Sequence, residues 1–92
     1  MAGAKTPDSV QVESAGSLTL RIMDFSTTNI DNGDTYATGI TSIVGTPIFS
    51  ASKDPTQGGE GMNVAWTAST GALVFHSPEE DVTGTLYIYS RG

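Results

Sequence analysis

At 92 residues the chain suits one domain with one hydrophobic core. Ten acidic residues against four basic ones give a net charge of -6, the opposite of the positive surface that nucleic acid or an anionic membrane requires. Cysteine is absent, which excludes disulfides, thiolate zinc sites and thiol nucleophiles.

Residues 1–16 read as an extended amino-terminal arm, small and polar, with Pro7 set against helix. Val10 and Val12 alternate with Gln11 and Glu13, a spacing that suits addition to a sheet edge. The arm is expected to order only on assembly, with Lys5 as a positive charge held away from an acidic body. Nothing in residues 1–17 has the apolar run of a secretory signal, and no stretch approaches the length of a membrane helix.

Residues 17–92 form the expected domain. Residues 17–25 are the first strand, with Leu18, Leu20 and Ile22 on one face and Thr19, Arg21 and Met23 on the other. A polar loop follows over residues 26–34, with Asn32-Gly33 as its turn. Residues 35–44 read as a second strand, bent or bulged at Gly39. After a break at residues 45–47, a third strand covers residues 48–52, and residues 53–61 form a glycine-rich loop. Residues 63–68 and 72–77 make a hairpin around Ser69-Thr70-Gly71. Residues 78–81 are an acidic turn, and residues 83–90 the last strand, with Leu86 and Ile88 on the face opposite Tyr87 and Tyr89.

Six to seven short strands without any helical period predict an all-β fold, a single-domain antiparallel β-sandwich or a small barrel. The period-two placement selects Leu20, Ile22, Ile40, Val64, Trp66, Leu73, Phe75, Leu86 and Ile88 as the core, with Trp66 as its large aromatic anchor. Met23, Phe25, Ile43 and Phe49 are then apolar residues on a second face, suited to a neighbouring subunit. Lys5, Val10, Val12, Met23 and Phe25 are the expected assembly contacts.

No catalytic constellation emerges. His76 is the single histidine, and no serine sits in a nucleophile elbow. Asp31-Asn32-Gly33-Asp34 has Gly33 where a calcium loop needs a ligand, so it reads as a turn. Glu79-Glu80-Asp81 is a run of three carboxylates that would bind a hard cation such as calcium if they converged, but adjacent residues in a turn are expected to point into water instead. Gly58-Gly59-Glu60-Gly61 lacks the Lys-Ser/Thr of a phosphate loop. The expectation is a non-enzyme with no cofactor, no metal site and no small-molecule substrate, acting by binding or by building.

Several segments resemble small bacteriophage virion proteins. These are Asn63-Val64-Ala65-Trp66, the Thr70-Gly71 turn, Leu73-Val74-Phe75 and the closing run from Gly84 to Gly92. Asn32-Gly33-Asp34-Thr35-Tyr36-Ala37-Thr38-Gly39 is similar to them as well. The resemblance runs from Asp31 onwards and transfers no functional residue. It implies a capsid decoration, or cement, protein on the surface of the virion, bound to the major capsid protein and commonly a homo-trimer. The alternative of another class is a small β-sandwich module of a phage tail or fibre. It would bind a carbohydrate or a receptor through exposed aromatics such as Tyr87 and Tyr89.

Overall fold

The computed structural model describes residues 3–51, 63–67, 69–76 and 81–91. Seven strands run through them: β1 (Ser9–Ala15), β2 (Leu18–Ile30), β3 (Thr35–Ala37), β4 (Ile43–Ala51), β5 (Asn63–Thr67), β6 (Ala72–His76) and β7 (Val82–Ser90). No helix occurs among the described residues. The strands form two antiparallel sheets, one in the order β1-β2-β7-β4 and one in the order β3-β6-β5, which face each other as a small β-sandwich.

Alternation decides what lies between the sheets. On β7, Leu86 and Ile88 point inward and are fully buried, while Tyr87 and Tyr89 point the other way. Met23 stands opposite Leu86, and Phe25 opposite Gly84, so this face of β2 also turns inward. Met23, Phe25, Ile30, Phe49, Val64, Leu73, Phe75, Val82, Leu86 and Ile88 meet there, joined by Ile40 from the β3–β4 connection. Phe25 is central. Its ring lies 5.9 Å from that of Tyr36, 6.0 Å from Phe49 and 6.0 Å from Phe75, and Phe49 and Phe75 lie 5.7 Å apart. Most of these contacts are edge-to-face, which brings the positive ring edge to the negative face.

This arrangement corrects part of the expected core. Met23 and Phe25 are buried inside the sandwich, so neither side chain is offered to a neighbouring subunit. Phe49 is likewise core. Leu20 and Ile22 lie half-exposed on the opposite side of β2. Both faces of this strand are apolar, so its own period could not choose between them. Trp66 is 38% exposed. It follows the buried Val64 on the same side of β5 but stands near the end of an edge strand, where the cover runs out.

Two irregularities shape the larger sheet. The β2–β7 register shifts between Phe25 and Ile30, so the expected polar loop is instead an irregular continuation of β2. The β4–β7 register shifts between Val44, opposite Tyr89, and Ile48, opposite Tyr87. Gly45, at φ 75°, and Pro47 lie in that second bulge. The expected second strand ends at Ala37, because the chain there leaves the smaller sheet to reach the larger. The β5–β6 hairpin turns through Gly71, at φ 73°. A Cβ on Gly71 would collide with Ile40 O and Thr38 Oγ1, since Thr38 donates from its N–H (3.1 Å) and its hydroxyl (2.7 Å) to Gly71 O.

Phe25→Ala is expected to cost about 3–5 kcal/mol in urea unfolding, the usual loss for a core aromatic. Trp66→Ala is expected to cost well under half as much. Equal losses would contradict the open position of Trp66.

Candidate functional site

The amino-terminal segment is part of the sandwich. Ala4 bridges Thr35 in parallel, Lys5 N–H donates to Thr35 O (2.7 Å) and Thr35 N–H donates to Gly3 O (2.9 Å). These bonds cover the edge of β3. The chain then crosses to the other sheet, where Asp8 N–H donates to Asp24 O (2.7 Å) and β1 pairs with β2 from Ser9 to Ala15. The expected arm is therefore a strap from one sheet to the other. An arm ordered only on assembly does not describe the chain, which already satisfies these groups within itself.

Asp34 anchors the strap. It is fully buried, and its carboxylate accepts from Gly3 N–H (2.8 Å) and Asp31 N–H (2.6 Å). The Lys5 ammonium stands 3.7 Å from Asp34 Oδ2. A buried carboxylate is costly unless paired and hydrogen-bonded, and here residues 3–5 supply much of both. Lys5 is thus an internal ion-pair partner rather than a charge held away from the body. The Asn32-Gly33 turn is present, with Gly33 at φ 88° and Asp34 N–H donating to Asp31 O (3.0 Å). Asp31 Oδ1 accepts from Asp81 N–H (2.7 Å), which ties this turn to the start of β7.

Asp8 pins the irregular part of β2. Its carboxylate accepts from Thr28 Oγ1 (2.6 Å) and Thr27 N–H (2.7 Å). The Thr28 hydroxyl and then the Thr27 N–H hold the Asp8 carboxyl below its ordinary pKa. At the opposite end of the larger sheet, the Arg21 guanidinium donates to the buried Ser90 hydroxyl. Burial pushes the Tyr36 phenol up, and the Arg21 charge partly offsets this.

The outer face of the four-stranded sheet is an apolar surface that no described sheet or strand covers. The ladder aligns Ile22, Tyr87 and Ile48 in one row across β2, β7 and β4. Leu20, Tyr89 and Val44 form the next row. Ile48 is 59% exposed and Tyr89 42%, and the other four are partly exposed. Val44 and Ile48 share this face by alternation, and the bulge in β4 sets Ile48 opposite Tyr87. On the β1 side the rows continue as Gln11 beside Ile22 and Glu13 beside Leu20. The site is thus an apolar strip with a polar border. The sequence showed apolar residues on both sides of these strands, which was the signal for this face, but the residues assigned to it were the wrong set.

The other expected positions are scattered. Val10 and Val12 are exposed on the core-facing side of β1, beyond the cover of the smaller sheet. His76 ends β6, exposed and opposite Asn63. Among the described residues no three His, Cys, Asp or Glu side chains gather as metal ligands. Residues 53–61, Glu79 and Glu80 lie outside the described residues. Comparison of the chain with protein-family models, with curated proteins and with solved structures finds no match.

Deleting residues 1–16 is expected to lower the melting temperature sharply, because it strips β2 of its neighbour and Asp34 of its Gly3 and Lys5 partners. An unchanged melting temperature would show the strap to be passive. Asp8 gives a pH test. Its folded pKa is depressed, so its contribution is present above the unfolded value near 3.8 and is lost as pH falls through the folded value. Asp8→Ala is expected to be less stable than the parent at neutral pH, with the gap narrowing on acidification below 3.8. Urea unfolding across that range checks it. A gap of constant size would assign the effect to packing and not to the carboxylate.

Proposed function

We propose that this protein is a bacteriophage capsid decoration protein, which binds the assembled head and stabilises neighbouring capsid subunits. The observation that carries the reading is the outer face of the four-stranded sheet, with Leu20, Ile22, Val44, Ile48, Tyr87 and Tyr89 in two adjacent rows. A strip of this kind marks a surface that meets another macromolecule. The resemblance of the segments from Asp31 onwards to small virion proteins supports a shell as that macromolecule.

Magnitudes favour a repetitive target. Covering a half-exposed side chain of this size contributes about 1 kcal/mol. Six such residues contribute at most about 6 kcal/mol, against the roughly 4–15 kcal/mol that rigid-body association costs. One copy on one free subunit would bind weakly through this face alone. An assembled shell adds contacts from several subunits at once, and so converts weak contacts into stable attachment.

The carbohydrate reading has one observation in its favour: Tyr87 and Tyr89 lie side by side on one face. Their flanks in the sheet are Ile22, Ile48, Leu20 and Val44. A sugar site needs polar groups around its aromatic platform, so an apolar protein surface fits these flanks better.

The test is cosedimentation with undecorated shells of the virus that encodes the protein. Ile48→Asp is expected to keep the parent melting temperature and to lose at least about tenfold in shell affinity, which corresponds to about 1.4 kcal/mol. His76→Ala, on the other sheet, is expected to bind as the parent does. Equal binding by Ile48→Asp, or equal affinity for free capsid subunits, would overturn the reading. Binding of a soluble oligosaccharide that is lost in Tyr89→Ala would favour the alternative.

A further inference from the structure

β1 ends the four-stranded sheet, and among the described residues no element pairs with its outer side. All seven of its residues are exposed. Natural sheet edges are usually blunted by lysine, proline, a bulge or a covering segment. Two of the other three edges carry such devices. Gly3 and Lys5 bond to β3, while β4 is bulged and contains Pro47. Ser9–Ala15 holds neither lysine nor proline and pairs with β2 without a register shift. It is a straight, bare edge. Among the described residues no layer lies over either of its faces, so a second sheet can approach it without collision.

The sequence of β1 suits pairing with itself. An antiparallel copy centred on Val12 sets Val12 against Val12, Gln11 against Glu13, Val10 against Ser14 and Ser9 against Ala15. The single charge of the strand, Glu13, then never faces its own copy, so the repulsion of like charges directly opposite is avoided. It faces a glutamine amide, the group that already donates to it within one chain (Gln11 Nε2 to Glu13 Oε2, 2.6 Å). Val10 and Val12, 48% and 58% exposed, gain apolar neighbours, because Val10 lies diagonal to the second copy's Val12.

We infer that β1 is a homotypic docking edge, through which two copies join antiparallel with Val12 on the two-fold axis to make one continuous eight-stranded sheet. The inference goes beyond the capsid reading and does not depend on it. A two-fold edge is isologous and closes on itself, unlike the trimer that the virion resemblance implies. A seven-residue edge buries less than the 1,200 Å² or so of a standard interface, so the dimer is weak and forms where copies are concentrated.

Because the chain lacks cysteine, single-cysteine variants test the register cleanly. Directly opposed strand residues lie about 4.5–5.5 Å apart between Cα atoms, within the span of a disulfide. Under mild oxidation, Val12→Cys is expected to form a linked dimer at least tenfold faster than Val10→Cys. A mixture of Val10→Cys and Ser14→Cys is expected to crosslink as a heterodimer. Adding Gln11→Glu to Val12→Cys opposes two carboxylates and is expected to slow crosslinking by a similar factor. All these positions are exposed, and melting temperatures matching the parent confirm folding. Equal rates for Val12→Cys and Val10→Cys would overturn the inference, as would indifference to Gln11→Glu. A stable trimer by sedimentation without Val12→Cys crosslinking would assign assembly to another surface. Shell cosedimentation of the same variants reads the capsid proposal separately.

Discussion

Met23 stands opposite Leu86 in the β2–β7 ladder, and this register sets the direction of every side chain in the larger sheet. β7 is a central strand, paired on one side with β2 and on the other with β4. Once Leu86 and Ile88 turn inward, Met23, Phe25 and Phe49 must follow, and Phe25 can take its place among Tyr36, Phe49 and Phe75. The same register turns Leu20, Ile22, Tyr87 and Tyr89 outward. A slip of one residue would exchange the two sets. Core and candidate binding face are therefore two consequences of one pairing choice. The aromatic cluster favours it, because three phenylalanines and a tyrosine pack edge-to-face only on the inner side.

The amino-terminal strap solves a separate problem. The smaller sheet has three strands, and its β3 is only three residues long. Such a sheet leaves Asp34 and the edge of β3 in need of partners. Gly3 and Lys5 supply them, and the same segment then continues into β1. A short run of chain thus neutralises a buried carboxylate at one sheet and adds a strand to the other. Cysteine-free domains of this size have few other staples.

That solution leaves polar backbone exposed elsewhere. β1 lengthens the larger sheet past the cover of the smaller one, so both of its faces and its outer edge meet solvent. The apolar rows on the outer face stand beside it. Edge and face are adjoining features of one sheet.

Much of the fold was legible in sequence. The β5–β6 hairpin, its Gly71 turn, the Asn32-Gly33 turn and the inward placement of Leu86 and Ile88 all follow from local chemistry: period-two alternation and residues that accept positive φ. The all-β class followed from the same signals. Three things were decided only in three dimensions. The inner face of β2 was one, since Leu20-Ile22 and Met23-Phe25 offer similar apolar area and only the partner strand distinguishes them. The place of Trp66 was another, since alternation gives the side of a strand but not whether a second sheet reaches that far. The third was the strap. Residues 3–8 have no apolar period, and their order comes from hydrogen bonds to Asp24, Thr27, Thr28, Asp34 and Thr35, which are remote in sequence. Local pattern reports which groups want burial or a partner. Which partner they find depends on contacts between distant segments, and those exist only once the two sheets have closed.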